Sequence, residues 1–190
     1  MEIYIEDKEF EKLIFTEQSL EKGEYEFCTF SNCDFSNSDL THIIFSECEF
    51  INCNLSMVKL TETALRNVKF KDCKILGVNF EKCNEFGLEI SFENCVANHC
   101  IFYKAKLKKT NFKNSQLNET DFTECNLTNS TFDNCDLARA TFENTILENV
   151  DFKTAYNFEI DPEFNRIKKA KFSTQNIRGL LTKYDIKIES

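Results

Sequence analysis

Between residues 104 and 152 a Leu or Phe recurs at every fifth position without exception: Leu107, Phe112, Leu117, Phe122, Leu127, Phe132, Leu137, Phe142, Leu147 and Phe152. Two residues before each centre stands a small or β-branched residue, from Ala105, Thr110 and Ser115 to Ala140, Thr145 and Val150. The other three positions are polar in most units. A period of five excludes the two usual elements. Alternation by two would put successive centres on opposite faces of a strand, and a helix turning about 100° per residue would carry them around its cylinder. A five-residue unit that always points the same residue inward must turn a corner each time. Four corners close a square coil of about twenty residues, and stacked coils lie about 4.8 Å apart, like strands in a sheet. The chain is therefore expected to be an all-β, four-sided β-helical solenoid.

The period extends backwards. Centres fall on multiples of five from Phe10 to Phe80, then resume at Phe92, Ala97 and Phe102. The step from Phe80 to Phe92 is two residues too long, which places a register slip within 84–91, around Gly87. A square coil stacks residues twenty apart. Phe92, Phe112, Phe132, Phe152 and Phe172 then form one column, and Phe102, Phe122 and Phe142 the opposite one. The ends differ from the middle. The first 26 residues carry nine acids against three Lys, and their small position holds Leu13, Gln18 and Gly23. Residues 1–27 read as an atypical capping coil, as a solenoid needs. Residues 156–172 read as an irregular last coil with a turn at Asp161-Pro162. After Phe172 the period stops. Ile177, Leu180, Leu181 and Tyr184 follow helical spacing behind Ser173, which predicts a short C-terminal α-helix over 174–183. Residues 185–188 alternate and predict a final strand. The domain reading is thus a solenoid over 1–172 and a separate element over 173–190.

Composition supports this. With 20 Phe, no Trp, 4 Gly and 1 Pro, the corners must do without the usual turn residues. All ten cysteines, from Cys28 to Cys135, lie two residues before a centre. There a reduced Cys acts as a small buried hydrophobe, so the expectation is packing rather than disulfides or metal. His42 and His99 lie two residues after a centre, on the outer surface. No Gly-rich phosphate loop, HExxH or nucleophile elbow occurs, and the packing code occupies the inward positions. The expectation is no enzyme, no cofactor, no metal and no ligand pocket. No apolar run reaches membrane-spanning length. The opening MEIYIEDKEF lacks a basic region followed by an apolar stretch, so the expected place is the cytoplasm, with thiols reduced. The net charge of −9 argues against direct binding of nucleic-acid phosphates.

Units such as CDFSN, SDLTH, TDFTE, CNLTN, CDLAR and VDFKT resemble the pentapeptide repeat, a small residue, Asp or Asn, then Leu or Phe and two further residues. The resemblance covers residues 10–152. It implies a right-handed quadrilateral β-helix whose turns do not depend on Gly or Pro. Two stretches are similar to the Qnr and MfpA-like quinolone-resistance branch. One is GLEI at 87–90, followed by Cys95 and Ala97. The other is the ending NIRGLLTKYDIKI. That branch implies a homodimer through the C-terminal end, here Ile177, Leu180, Leu181 and Tyr184. It also implies a DNA-mimicking acidic rod that binds DNA gyrase or topoisomerase IV and reduces fluoroquinolone poisoning. Members commonly carry longer projecting loops, where this chain has only the slip near Gly87 and the turn at Asp161-Pro162.

Charge is banded along the rod. Residues 114–160 hold nine acids and two bases, and residues 59–113 hold eleven bases and six acids. By the twenty-residue rule Asp121, Glu124, Glu143, Asp161 and Glu163 lie on or beside the face of Phe122 and Phe142, which is the expected partner-binding face. The bland alternative is a solvated surface that keeps a stacked sheet soluble. Lys104, Lys106, Lys108, Lys109 and Lys113 form a basic cluster, read as solvated. The second functional reading is an interaction scaffold with an unrelated protein partner.

Overall fold

The computed structural model describes residues 3–187 and Glu189. The chain winds as a right-handed β-solenoid of about seven turns. One side carries β1 (Ile3–Glu6), β3 (Gly23–Glu26), β5 (Ile44–Ser46) and β7 (Ala64–Arg66), in that spatial order. The next side carries β2 (Glu9–Glu11), β4 (Thr29–Ser31), β6 (Glu49–Ile51), β8 (Val68–Lys71), β9 (Ile90–Glu93), β10 (Asn111–Lys113) and β11 (Thr131–Asp133). Neighbours are parallel and twenty residues apart, except twenty-two between β8 and β9: Tyr25 pairs with Phe45, Phe30 with Phe50 and Phe112 with Phe132. The remaining sides are held by single bridges, such as Asp34 to Asn54 and Asp121 to Thr141.

The inward centres fill the core. Phe10, Phe30, Phe50, Phe70, Phe92, Phe112, Phe132, Phe152 and Phe172 stack in one column, with neighbouring ring centroids 4.7 to 5.3 Å apart. Phe80, Phe102, Phe122 and Phe142 form the facing stack and meet the first edge-on, as Phe112 and Phe122 do at 6.0 Å. Aromatic pairs at these separations contribute about 0.5–1.5 kcal/mol each beyond the area they bury. The register slip leaves the long stack intact, since Phe70 still pairs with Phe92. It is absorbed one side earlier. There Asn84 and Glu89 donate their N–H groups to Thr63 and Leu65 at 3.0 and 2.9 Å, and the chain between them bulges. Phe86 is expelled, 80% exposed, and Leu88 packs partly against the core instead.

The corners explain the scarcity of glycine. Two residues after almost every centre the backbone has positive φ: 58° at Asn37, 63° at His42, 58° at Lys104 and 59° at Asn149. This conformation costs an L-residue roughly 1 kcal/mol, and Asn, which tolerates it best, is the commonest occupant. What offsets the cost is stacking. The corner residue aims its N–H along the rod axis at the next coil, as Asn37 does to Ser56 and Lys104 to Thr123, at 2.9 and 3.0 Å. The small slot also does more than fill space. Thr63, Thr120, Ser130 and Thr145 each donate a hydroxyl to the carbonyl of a centre twenty-three residues back. Cys33, Cys48, Cys53 and Cys73 donate a thiol to the same kind of carbonyl. All ten thiols are free and buried.

The C-terminal α-helix expected over 174–183 is corrected. Its place is taken by two 3-10 turns, Ile177–Leu180 and Thr182–Tyr184. The start is helix-like, because Asn176 and Ser173 cap one another's N–H groups and Ile177 donates to the Ser173 carbonyl at 3.1 Å. The α pattern then fails at Gly179. In a continued helix the Gly179 carbonyl would accept from Lys183, but here it accepts from Ile160 at 2.8 Å. Leu181 and Tyr184 fall back on i→i+3 bonds. The final strand expected over 185–188 is also absent from residues 185–187, while Ile188 lies outside the described residues.

Candidate functional site

The five acids named on the Phe122 and Phe142 face are built by the coil itself. Asp121 precedes the centre Phe122, forms bridges to Ile101 and Thr141, and accepts the Thr123 N–H at 2.8 Å. Glu124 sits at a corner with φ of 55°. Glu143 follows the centre Phe142 and is exposed. Asp161 and Glu163 flank Pro162 in the irregular coil, where Asp161 accepts the Glu163 N–H at 2.9 Å.

Their partners divide them. Glu124 accepts from the Tyr103 hydroxyl at 3.1 Å and pairs with Lys104 at 3.6 Å. Asp161 and Glu163 clasp Lys183 at 2.7 and 2.8 Å, and Glu163 also accepts from the Tyr184 hydroxyl at 3.0 Å. The Lys183 hydrogen bonds hold both carboxyls below the usual carboxylate range. Burial lowers the Lys183 pKa, but its bonds to the two acids outweigh this and hold it above normal. Among the described residues Asp121 and Glu143 form no ion pair. The structure therefore places three of the five acids against lysines. The signal for these lysines was in the sequence: Lys104 lies twenty residues before Glu124, and Lys183 twenty after Glu163.

Of the four residues named for dimerisation, Ile177 and Tyr184 are about half exposed, while Leu180 and Leu181 are partly buried. Leu180 packs on the core. Exposed Phe164 and Ile186 share this end of the rod, and sequence reasoning missed both because neither fits a repeat or a helix period.

An open groove of about 830 Å3 runs where the Phe142 side meets the C-terminal turns, lined by Phe142, Ile160, Phe164 and Leu180, with Arg139 and Glu143 among its polar groups. It exists because the column above Phe142 ends at Pro162. The two histidines are exposed corner residues, and His99 lies 3.4 Å from Glu119, a contact not foreseen. Among the described residues no group of three or more His, Cys, Asp or Glu is arranged to hold a metal ion. Burial pushes the Cys48 and Cys100 thiols up to about 12. Among the described residues no helix is long and apolar enough to cross a membrane.

A family model described as "Pentapeptide repeat region" matches residues 24–90 and 88–156. No curated protein matches the chain. Among solved structures, a trypsin-treated variant of QnrB1, described as a plasmid-mediated fluoroquinolone resistance protein, is 18% identical, with 100% of this chain and 99% of that one covered and a TM-score of 0.49. HetL from the cyanobacterium Nostoc sp. strain PCC 7120, a pentapeptide repeat protein involved in heterocyst differentiation regulation, is 13% identical, with coverage of 89% and 86% and a TM-score of 0.42.

Proposed function

This chain belongs to the pentapeptide-repeat family, and from that premise we propose that it is a non-enzymatic DNA mimic that binds a type II topoisomerase, DNA gyrase or topoisomerase IV. The observation that supports this reading is linear charge density. Residues 114–160 carry a balance of −7 over about 11 Å of rod at about 4.8 Å per coil, or one net charge per about 1.6 Å, beside one per about 1.7 Å of duplex DNA. Asp121 and Glu143 offer carboxylates that no described cation neutralises. The sequence likeness of GLEI and of the ending to the quinolone-resistance branch points the same way. In this reading Ile177 and Tyr184 meet their equivalents in a second copy, with Leu180 and Leu181 behind them, and the dimer joins two acidic bands.

Purified protein at micromolar dimer is expected to change supercoiling by gyrase, or to rescue it from a fluoroquinolone. Asp121→Asn with Glu143→Gln is expected to weaken the effect. No effect on either enzyme sinks the reading, and recovery of a different protein from native lysate would favour a scaffold role. The dimer has its own readout. Ile177→Asp, at an exposed position, is expected to yield a monomer by sedimentation, and an unchanged dimer refutes that interface.

A further inference from the structure

The two ends of the rod are finished differently. At the C-terminal end the chain caps itself: the Asn176 side-chain amide donates to the Phe152 and Ala155 carbonyls at 2.7 and 2.9 Å. At the N-terminal end, among the described residues, β1 and β2 are edge strands, each paired on one side only. Ile3 and Asp7 donate their N–H groups to Lys22 and Glu26 of the second coil, and the Ile5 carbonyl accepts the Cys28 thiol. Backbone groups alternate in direction along a strand, so those of Tyr4 and Glu6 point out of the end of the rod. On β2 the Phe10 carbonyl accepts the Cys33 thiol and Lys12 donates to Ser31. The groups of Glu9 and Glu11 therefore point outward too. The apolar layer is equally incomplete. Ile3, Ile5 and Phe10 are only partly buried, whereas Tyr25 and Phe30, one coil on, are buried.

Charge decides what can complete this edge. Its solvent-facing side chains include Glu6, Glu9 and Glu11, with Asp7 between the strands. Glu11 pairs with Lys12 at 2.8 Å, while Glu6, Asp7 and Glu9 form no ion pair among the described residues. Two copies meeting edge to edge would oppose these carboxylates, and like charges across strands disfavour pairing. A basic strand meets no such barrier.

We propose that this edge docks a basic segment of another protein by strand addition, one stretch extended along β1 and a second along β2, bent at the corner that Asp7 makes. Main-chain hydrogen bonds to Tyr4, Glu6, Glu9 and Glu11 supply affinity, alternate apolar side chains cover Ile5 and Phe10, and lysines facing Glu6, Glu9 and Glu11 supply selectivity. The site lies in the opposite half of the rod from the acidic band of 114–160 and does not depend on its function.

The probe is a capped peptide, Lys-Val-Lys-Gly-Gly-Lys-Val-Lys, whose glycine pair spans the corner and whose valines meet Ile5 and Phe10, titrated into the 15N-labelled full chain. Amide shifts confined to residues 3–12 are expected, with binding weakened several-fold as NaCl rises from about 0.05 to about 0.5 M. Methylating alternate peptide nitrogens is expected to weaken binding about tenfold or more, about 1.4 kcal/mol. Glu9→Lys with Glu11→Lys, both on the solvent side, is expected to do the same while leaving spectra beyond the second coil unchanged. The methylated peptide tests the idea on the unaltered protein. No binding at about millimolar peptide, equal binding of the methylated peptide, shifts centred on 114–160, or self-association through residues 3–11 would each overturn it.

Discussion

At the residue scale the repeat pattern makes the small slot of each unit a question of size. The structure adds that it is also a question of hydrogen bonding. Cys48 fills the slot and donates its thiol to the Tyr25 carbonyl at 3.2 Å. Cys48→Ser keeps a donor and is expected to change stability by less than about 1 kcal/mol, whereas Cys48→Ala loses both the hydrogen bond and the sulfur's packing and costs about 1–3 kcal/mol. Urea denaturation of both variants checks the difference, and equal costs would reduce the slot to a matter of volume. Because the ten thiols are buried and burial holds Cys48, Cys83, Cys100 and Cys135 at about 12, iodoacetamide at pH 8 is expected to label the chain only in step with unfolding. Labelling of the native protein, counted by mass spectrometry, contradicts this.

At the element scale the C-terminal turns were misread because helical spacing was present but a tertiary bond overrode it. Ile177, Leu180, Leu181 and Tyr184 have the right intervals, yet Ile160 takes the carbonyl of Gly179. No local pattern announces that competition. Gly179 is required by close approach, since a Cβ there would run into the Phe158 carbonyl oxygen and lie 2.6 Å from its ring. Gly179→Ala is expected to destabilise the chain by about 1–3 kcal/mol in urea, where helix propensity alone would predict a gain. The Lys183 clasp gives this element a pH response. Asp161 and Glu163 have depressed folded pKa values. Their contribution is complete above the unfolded values near about 4 and is lost as pH falls through the folded ones. Lys183 is raised. Its contribution is complete below about 10.4 and is lost as pH rises through the folded value. The amide resonances of residues 182–184 are therefore expected to hold steady between about pH 5 and 10 and to move toward released-tail positions below about pH 4. An acid transition confined to the solenoid core, with these resonances unmoved, would refute the clasp.

At the scale of the whole molecule the repeat makes length adjustable in units of one coil. Deleting 111–130 sets Phe132 on Phe92 and is expected to leave a cooperatively folding, shorter rod, by circular dichroism and small-angle scattering. Deleting 111–115 instead sets Leu117 on Phe92, shifts every later Phe column onto a Leu column, and breaks the nine-ring stack. That variant is expected to lose several kcal/mol, since each misfit core position costs roughly 1–3 kcal/mol. Equal tolerance of the two deletions would mean that the columns do not set the register.

The sequence by itself determined the coil, the twenty-residue register, and the burial of the ten Cys and of the Phe at repeat centres. Each of these follows from which residue must face inward, and a one-dimensional period carries that information. Tertiary structure decided the rest. It turned the expected helix into 3-10 turns and opened a groove where the Phe142 column ends. Among the described residues it also left β1 and β2 paired on one side only, while Asn176 capped the coil of Phe152. These outcomes depend on contacts between parts of the chain that share no period, which a one-dimensional repeat does not carry.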